Sequence, residues 1–468
     1  MLAAISSLAL LAGCGSLLKS DYQEPQATVP AEWHTVAGTS AVSATTVDQW
    51  WKDFNDPALD QLVDLALQKN NDLAAATLKV RQAQLEVGLA ENEFLPSFNG
   101  GGDASRQTNM SSTGTTGGSA SRSTTSYSVS GGVSWELDLW GRIARETDAA
   151  DWEAKATQQD RDETALSLVG TVVQLYWQLG YLKERLALSD ESIAYAQKTL
   201  DLVKAQHGAG ASSGLEEAEA VQSLASQQAS RTQLVEQQQE ARNALAILFD
   251  GPPGTDSAEP AAVTEVDLPL VDAGLPAGVL ERRPDIRAAE LRLRETLSQG
   301  DATKASYFPT ISLTASVGSS SIALADLVKN PIGALGADLV LPFLNINEML
   351  LNIKVSKVEF QTAVVNYRQT LYTAFKDVEN ALSARQQYAE QGTLLEASLA
   401  AAEKAETLYE AQYRAGLVAL KSWLDAQETR RAAQEALAEN QYNRIVNYVT
   451  LVQALGGGPK LTEVAQAN

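Results

Sequence analysis

The stretch Tyr127, Ser128, Val129, Ser130, Gly131, Gly132, Val133, Ser134, Trp135, Glu136, Leu137, Asp138 alternates apolar with small or polar side chains. In extended backbone successive side chains point to opposite faces, so one face gathers Tyr127, Val129, Val133, Trp135 and Leu137 and the other Ser126, Ser128, Ser130, Ser134, Glu136 and Asp138. The period returns where Ile311, Leu313, Ala315 and Val317 alternate with Thr310, Ser312, Thr314 and Ser316, and in a shorter case through Ala337, Leu339, Leu341 and Phe343. A weaker partner runs from around Ser97 to Arg106, joined to the first strand by the Ser, Thr and Gly-rich stretch Gln107 to Ser123. Strands of about ten residues with long polar loops fit a transmembrane β-barrel. A half-buried soluble hairpin gives the same alternation, so the surrounding chain has to decide.

On either side the period changes. Leu73, Ala76, Val80, Ala83, Val87 and Ala90 recur at steps of three and four, a coiled-coil seam with small residues. Helical patterning runs from about Arg142 to Gln206, Leu215 to Phe249, Glu348 to Tyr413 and Leu417 to Leu455, and Leu371, Phe375, Val378 and Leu382 keep the spacing. Runs of about 65 residues at about 1.5 Å per residue make rods of roughly 100 Å, too long for a compact globule. Helix, strand, loop, strand and helix pair occur once before about Pro260 and again after it. Phe94, Leu95, Pro96 and Ser97 correspond to Tyr307, Phe308, Pro309 and Thr310, and Ala209 and Gly210 to Ala415 and Gly416. The spacing divides the chain into residues 1–13, 14–49, a first repeat over 50–260, a second over 261–456, and a tail over 457–468. Open strand edges are not tolerated in lipid, so four spanning strands per chain demand an oligomer, and a homotrimer giving about twelve strands could close a barrel.

The amino terminus tips the choice toward membrane. Leu8 to Gly13 is an apolar run too short to span a bilayer, followed by the single cysteine. Leu11, Ala12, Gly13 and Cys14 resemble the bacterial lipobox, which implies cleavage before Cys14, diacylglycerol on its thiol and an acyl group on its new amine. Several acyl chains hold firmly where one alone binds marginally. Met1 to Ala12 lacks the usual basic residues, and Gly15 after the cysteine implies sorting to the outer membrane. Residues from Gly15 to about Val47 carry no apolar period and read as an arm or linker.

Composition closes other classes. A net charge of -22 repels nucleic acid. The two histidines, His34 and His207, lie in the arm and at a helix end, and neither a phosphate loop nor metal-ligand spacing occurs. The chain is expected to be no enzyme and to carry no cofactor besides the lipid on Cys14.

Four motifs in order carry a family resemblance. They are Trp50, Trp51, Phe54, Asp56, Pro57 and Leu59 leading to Asn71, Asp72 and Leu73; Trp135, Leu137, Asp138, Trp140, Gly141 and Arg142; Arg283, Pro284, Asp285 and Ile286 with Ala289 and Glu290; and Leu424, Asp425, Ala426 and Gln427. The chain resembles the TolC-like outer membrane factor family, nearest its lipoprotein branch serving resistance-nodulation-division pumps. That resemblance implies a membrane α+β fold, a trimeric twelve-stranded β-barrel continued by a long periplasmic α-helical barrel. It further implies a passive exit duct partnered by a periplasmic adaptor and an inner-membrane pump. It places Asp425 and Tyr413 at the periplasmic gate, and Gly210, Gly416 and Leu417 at helix bends that meet the adaptor. Lys421 beside Asp425 opposes cation binding there. Pro284 and Asp285 suit a helix start, and Gly141 and Arg142 a strand-to-helix turn; the second repeat departs at that turn, with Leu344, Asn345, Ile346, Asn347 and Glu348. A type I protein-secretion duct and a coiled-coil lipoprotein scaffold are the alternatives.

Overall fold

The computed structural model of the chain describes residues 18–35, 48–108, 123–255, 258–260, 263, 268 and 276–462. Cys14 and its lipobox, most of the loop after the first strand, and residues 463–468 lie outside the described residues.

Helices α1 (Pro57–Lys69) and α2 (Asn71–Asn92) lead into strands β1 (Ser97–Thr108) and β2 (Ser123–Leu137), then into α3 (Arg142–Gly208) and α4 (Gly214–Ile247). The succession recurs as α5 (Pro276–Arg282), α6 (Pro284–Ala305), β3 (Thr310–Ser321), β4 (Pro331–Val340), α7 (Ile346–Arg414) and α8 (Leu420–Ala454). Helices α3 and α7 have 67 and 69 residues, rods of about 100 Å. No described helix is long and apolar enough to cross a membrane.

The four strands form one antiparallel sheet in the order β1-β2-β3-β4. Val133 stands opposite Phe98 on one side and Ala315 on the other, and Leu313 opposite Ala337, so the apolar face read from β2 continues across the sheet. The expected fourth strand needs correction. It starts earlier, at Pro331, and ends at Val340, while Leu341 and Phe343 fall in and beside a 3-10 turn over Pro342–Leu344. Pro342 lacks the N–H a ladder needs, so the apolar alternation outlasts the strand.

The seam read on α2 is its packed face. Leu73, Val80 and Ala83 are buried there and Ala76, Val87 and Ala90 partly so, whereas Leu78, Leu85 and Leu89 on the other side are exposed. The main core joins Trp50, Trp51 and α1 to Val169, Val172, Val173 and Tyr176 of α3 and to Ile445, Val449 and Val452 of α8. Asp56 caps α1 through the amides of Ala58 and Leu59 and accepts the Tyr176 hydroxyl at 2.6 Å, so the first motif is a packing anchor.

The other motifs are also joints. Gly141 sits at φ 75°, where a side chain is disfavoured, and starts α3. Arg142 holds Glu136 at 3.1 Å and Glu146 at 2.7 Å across that turn. Trp135 donates to the Phe94 carbonyl and Trp140 to that of Pro309, so one motif clamps both helix-to-strand junctions. In the second repeat Asn345 has φ -84°, so that turn is made without a left-handed residue. Arg283 binds both oxygens of Asp285 and donates to the Ala454 carbonyl at 3.2 Å, tying the start of α6 to the end of α8. The carboxylates of Asp285, Glu163 and Asp377 outweigh the burial that works against its charge, and its pKa is raised.

Residues 18–35 are bonded along α6 and α7 and thus form an arm. The buried Asp301 accepts from the Ser20 amide at 2.6 Å, the Ser20 hydroxyl at 2.7 Å and Lys304 at 2.8 Å. Farther along, Trp33 packs edge-to-face on Phe375, and Glu379 accepts from His34 and Thr35.

Candidate functional site

The end of the rods opposite the sheet holds the residues that the family resemblance assigns to the gate and the bends, Asp425, Tyr413, Gly210, Gly416 and Leu417. Each long helix stops on a left-handed glycine, Gly210 at φ 75° and Gly416 at φ 73°. At the first bend Gly210 N–H bonds the His207 carbonyl and Ala211 N–H that of Gln206. At the second, Gly416 and Leu417 repeat the pattern on Tyr413 and Gln412. These paired bonds satisfy carbonyls that a helix end leaves open, and glycine takes the required backbone without a Cβ penalty. The two repeats thus build the same turn. Leu417 is exposed.

After the first bend Ser213 caps α4, with Glu216 bonding back to the Ser213 amide. The Ser212 hydroxyl bonds Glu216 at 2.6 Å; that bond first, and the Ser213 amide second, hold the Glu216 carboxyl below its ordinary range. A depressed carboxyl contributes stability above its unfolded pKa and loses it as pH falls through the folded value. Ser213→Ala is therefore expected to cost about 1 kcal/mol, read as about fivefold faster amide exchange over the first turn of α4. The Ser213 side chain accepts from the Glu216 amide and not from its carboxyl, so this loss should persist when acid protonates Glu216, whereas that of Ser212→Ala should fade. His207 meets Glu217 at 3.1 Å and closes the bend from its other side.

Tyr413 joins the two helix pairs. Its hydroxyl donates to Gln206 Oε1 at 2.7 Å, from α7 to α3, while its ring stacks on Trp423 of α8 at 5.3 Å. Burial first, and the nearby Glu216 carboxylate second, raise the pKa of this phenol, so it keeps its proton. Leu200, Val203, Ala220 and Leu420 complete the apolar cluster around it. Further side-chain ties cross from α3 above this point, Tyr195 to Glu410 at 3.1 Å, Gln427 to Thr199 at 3.4 Å and an Arg185–Glu435 ion pair at 2.9 Å. Within the α7–α8 pair the ties are more deeply buried. Glu406 pairs with Arg430, and Asn440 and Asn447 donate to the Tyr388 and Ala381 carbonyls. The two asparagines are a heptad apart, the spacing at which buried amides set helix register.

Asp425 is placed differently. Its carboxylate accepts from Lys421 at 2.8 Å and its carbonyl from Thr429, so both bonds stay on α8. The pair is exposed, and among the described residues neither side chain hydrogen-bonds a second helix, whereas Tyr413 does. Sequence reading passed over Gln206, Trp423 and the Glu406–Arg430 pair, whose partners are distant in the chain. It also passed over Ser213 and Glu216, although a serine three residues before a glutamate at a helix start is the capping-box signal that could have found them.

Comparison with known proteins agrees with this architecture. The model of a family described as outer membrane efflux protein matches residues 62–249 and again 275–457. The chain is 33% identical over 432 residues to the pyoverdine export outer membrane protein OpmQ of Pseudomonas putida, covering 92% of each. It is 31% identical to the probable efflux pump outer membrane protein TtgC of the same species, covering 96% of this chain and 93% of that one. Among solved structures it is similar to the open state of the Neisseria gonorrhoeae MtrE outer membrane channel, with TM-score 0.81, 31% identity and coverage of 94% and 98%. The Campylobacter jejuni CmeC outer membrane channel gives TM-score 0.82 at 26% identity, covering 96% of each.

Proposed function

The chain belongs to the outer membrane efflux protein family, and from that premise we propose that three copies form the outer-membrane exit duct of a tripartite pump. The reading rests chiefly on an open four-stranded sheet at one end of rods about 100 Å long. In one copy β1 and β4 each have one unpaired edge, and an open edge does not persist in lipid. Pairing β1 of each copy with β4 of the next closes twelve strands, with the Val133 and Leu313 face toward lipid and the serine-rich face toward the lumen. The exposed Leu78, Leu85 and Leu89 of α2 and Val355, Val358 and Val365 of α7 supply apolar surface for the same contacts below the membrane.

The duct consumes no nucleotide and passes small solutes handed over by an inner-membrane pump of the resistance-nodulation-division type through a periplasmic adaptor. The relatives' names mention pyoverdine in one case and toluene in another, which favours cargo selection upstream of the duct. Adaptor tips meet the bends at Gly210, Gly416 and Leu417. Opening moves the bend end of the α7–α8 pair away from α3, because there the polar ties inside the pair are buried whereas those to α3 are a few side-chain bonds near Tyr413, and nearer the sheet the main core keeps α8 on α3. Tyr413 is the central tie; Asp425, paired with Lys421, contributes to the charge of the entrance.

Cys14 carries the lipid anchor. Ser20, fixed on Asp301 near the sheet end of α6, supports this, because six residues of extended chain can span up to about 20 Å. The test is the mass of the detergent-solubilised mature protein by size exclusion with light scattering, together with intact mass spectrometry. A trimer acylated at Cys14 is the expected result, and a soluble unacylated monomer would leave the scaffold reading in front.

A further inference from the structure

On the face of the sheet assigned to the lumen, side chains are small or polar: Ser128, Ser130, Thr314, Ser316 and Gly318 share it by register. Val340 at the helix end departs from this, and the end remote from the helices departs further. Ile332 stands opposite Gly318 and so carries the parity of this face, and Ile322, one residue past β3, continues the same parity. Between them, in the nine-residue turn from β3 to β4, lie Leu324 and Val328. All four are open to solvent in the single copy, Ile322 at 76%, Leu324 at 64%, Val328 at 83% and Ile332 at 72%.

The turn is folded, not a loose tether. Leu324–Asp326 forms a 3-10 turn, Lys329 pairs with Asp326 at 2.5 Å, and the Ser319 hydroxyl donates to the Asn330 carbonyl at 3.1 Å. A built turn that presents bulky apolar groups to water has unfavourable hydration unless something covers them. It also leads straight into β4, the edge strand that pairs with the next copy in the duct. Twelve strands about 4.8 Å apart and tilted about 40° enclose a barrel of radius about 12 Å. Half of a nine-residue turn spans at most about 15 Å, so three turns can meet near the axis.

We infer that the β3–β4 turns of three copies close on one another over the outer mouth as an apolar seal, with Ile322, Leu324, Val328 and Ile332 as the contact surface. This rests on the trimeric duct proposed above. An apolar constriction resists passage of water and ions by dewetting. Such a seal shuts the outer side independently of the ties around Tyr413 and yields to solute driven from within. The occupant of each apolar turn is the same turn in the other two copies.

The test is proximity. Val328→Cys in the full-length protein, purified in detergent, is treated with a short bismaleimide, with the parent chain as background and Leu335→Cys on the lipid face as control. Covalent dimers and trimers from Val328→Cys but not Leu335→Cys are expected. A preparation that is trimeric by light scattering yet gives no cross-link at Val328 overturns the seal, and lipid or solvent then covers the turn. A monomer by light scattering overturns the duct and the seal together. In bilayers the Val328→Ser, Ile332→Ser double variant should admit a large polar polymer from the outer side several times faster than the parent. Equal admission rejects the seal even if the turns lie close.

Discussion

Tyr413→Phe is expected to raise the open-to-closed ratio of the duct by roughly two orders of magnitude. The substitution keeps the ring that stacks on Trp423 and removes only the donor to Gln206. One such bond contributes about 1 kcal/mol net. In a trimer whose copies open together the loss counts three times, about 3 kcal/mol, and about 1.4 kcal/mol corresponds to a factor of ten. Planar-bilayer recording reads this as longer and larger openings at an unchanged melting temperature. Gln206→Leu should do the same, and the double variant should add little, because both changes break one bond. The exposed Lys421–Asp425 pair makes the contrast. Lying on one helix, it should leave the ratio nearly unchanged when Asp425 becomes Asn, while altering cation sensitivity. Single-channel behaviour of Tyr413→Phe identical to the parent would remove Tyr413 from the gate.

The second large effect is on folding. Gly456→Ala should destabilise the chain where α8 meets the start of α6 by about 3 to 4 kcal/mol. Gly456 ends α8 at φ 80°, which costs an L-residue about 1 to 2 kcal/mol. A Cβ there would also lie 2.8 Å from the Arg282 carbonyl carbon and 2.9 Å from its oxygen, backbone that cannot rotate away. Relief would push α8 off the start of α6, where Arg283 binds the Ala454 carbonyl. Urea unfolding followed by tryptophan fluorescence reports the loss, since Trp50 and Trp51 lie in the core that α8 completes. Gly416→Ala is a control, with a similar φ of 73° but no atom within 4 Å of the added carbon, and should cost only the backbone strain.

Parts of this design follow from local pattern. The two-residue period of Tyr127 to Leu137 fixes which side chains share a face, because extended backbone allows no other arrangement, and the register keeps that face across all four strands. The three-and-four spacing on α2 locates its packed side for the same reason. Gly210 and Gly416 are legible as bends because glycine tolerates the left-handed backbone that ends a helix. Local pattern misled at Leu341 and Phe343, where apolar alternation continues past a proline that stops the ladder.

Other features depend on groups that meet only when the chain is folded. Asp285 looked like a helix-start residue, and it is, yet its larger task is to orient the Arg283 guanidinium toward Ala454, whose carbonyl lies 171 positions away. The acidic and basic residues of the long helices look alike in sequence, but folding buries Glu406 against Arg430 and leaves Asp425 in solvent beside Lys421. From residues alone, the periods of the chain determined rods, strands and bends, since these arise from backbone geometry and the sidedness of neighbouring positions. Only the tertiary structure decided that Tyr413 reaches Gln206 and that the arm is pinned on Asp301, because each depends on distant segments arriving at one place.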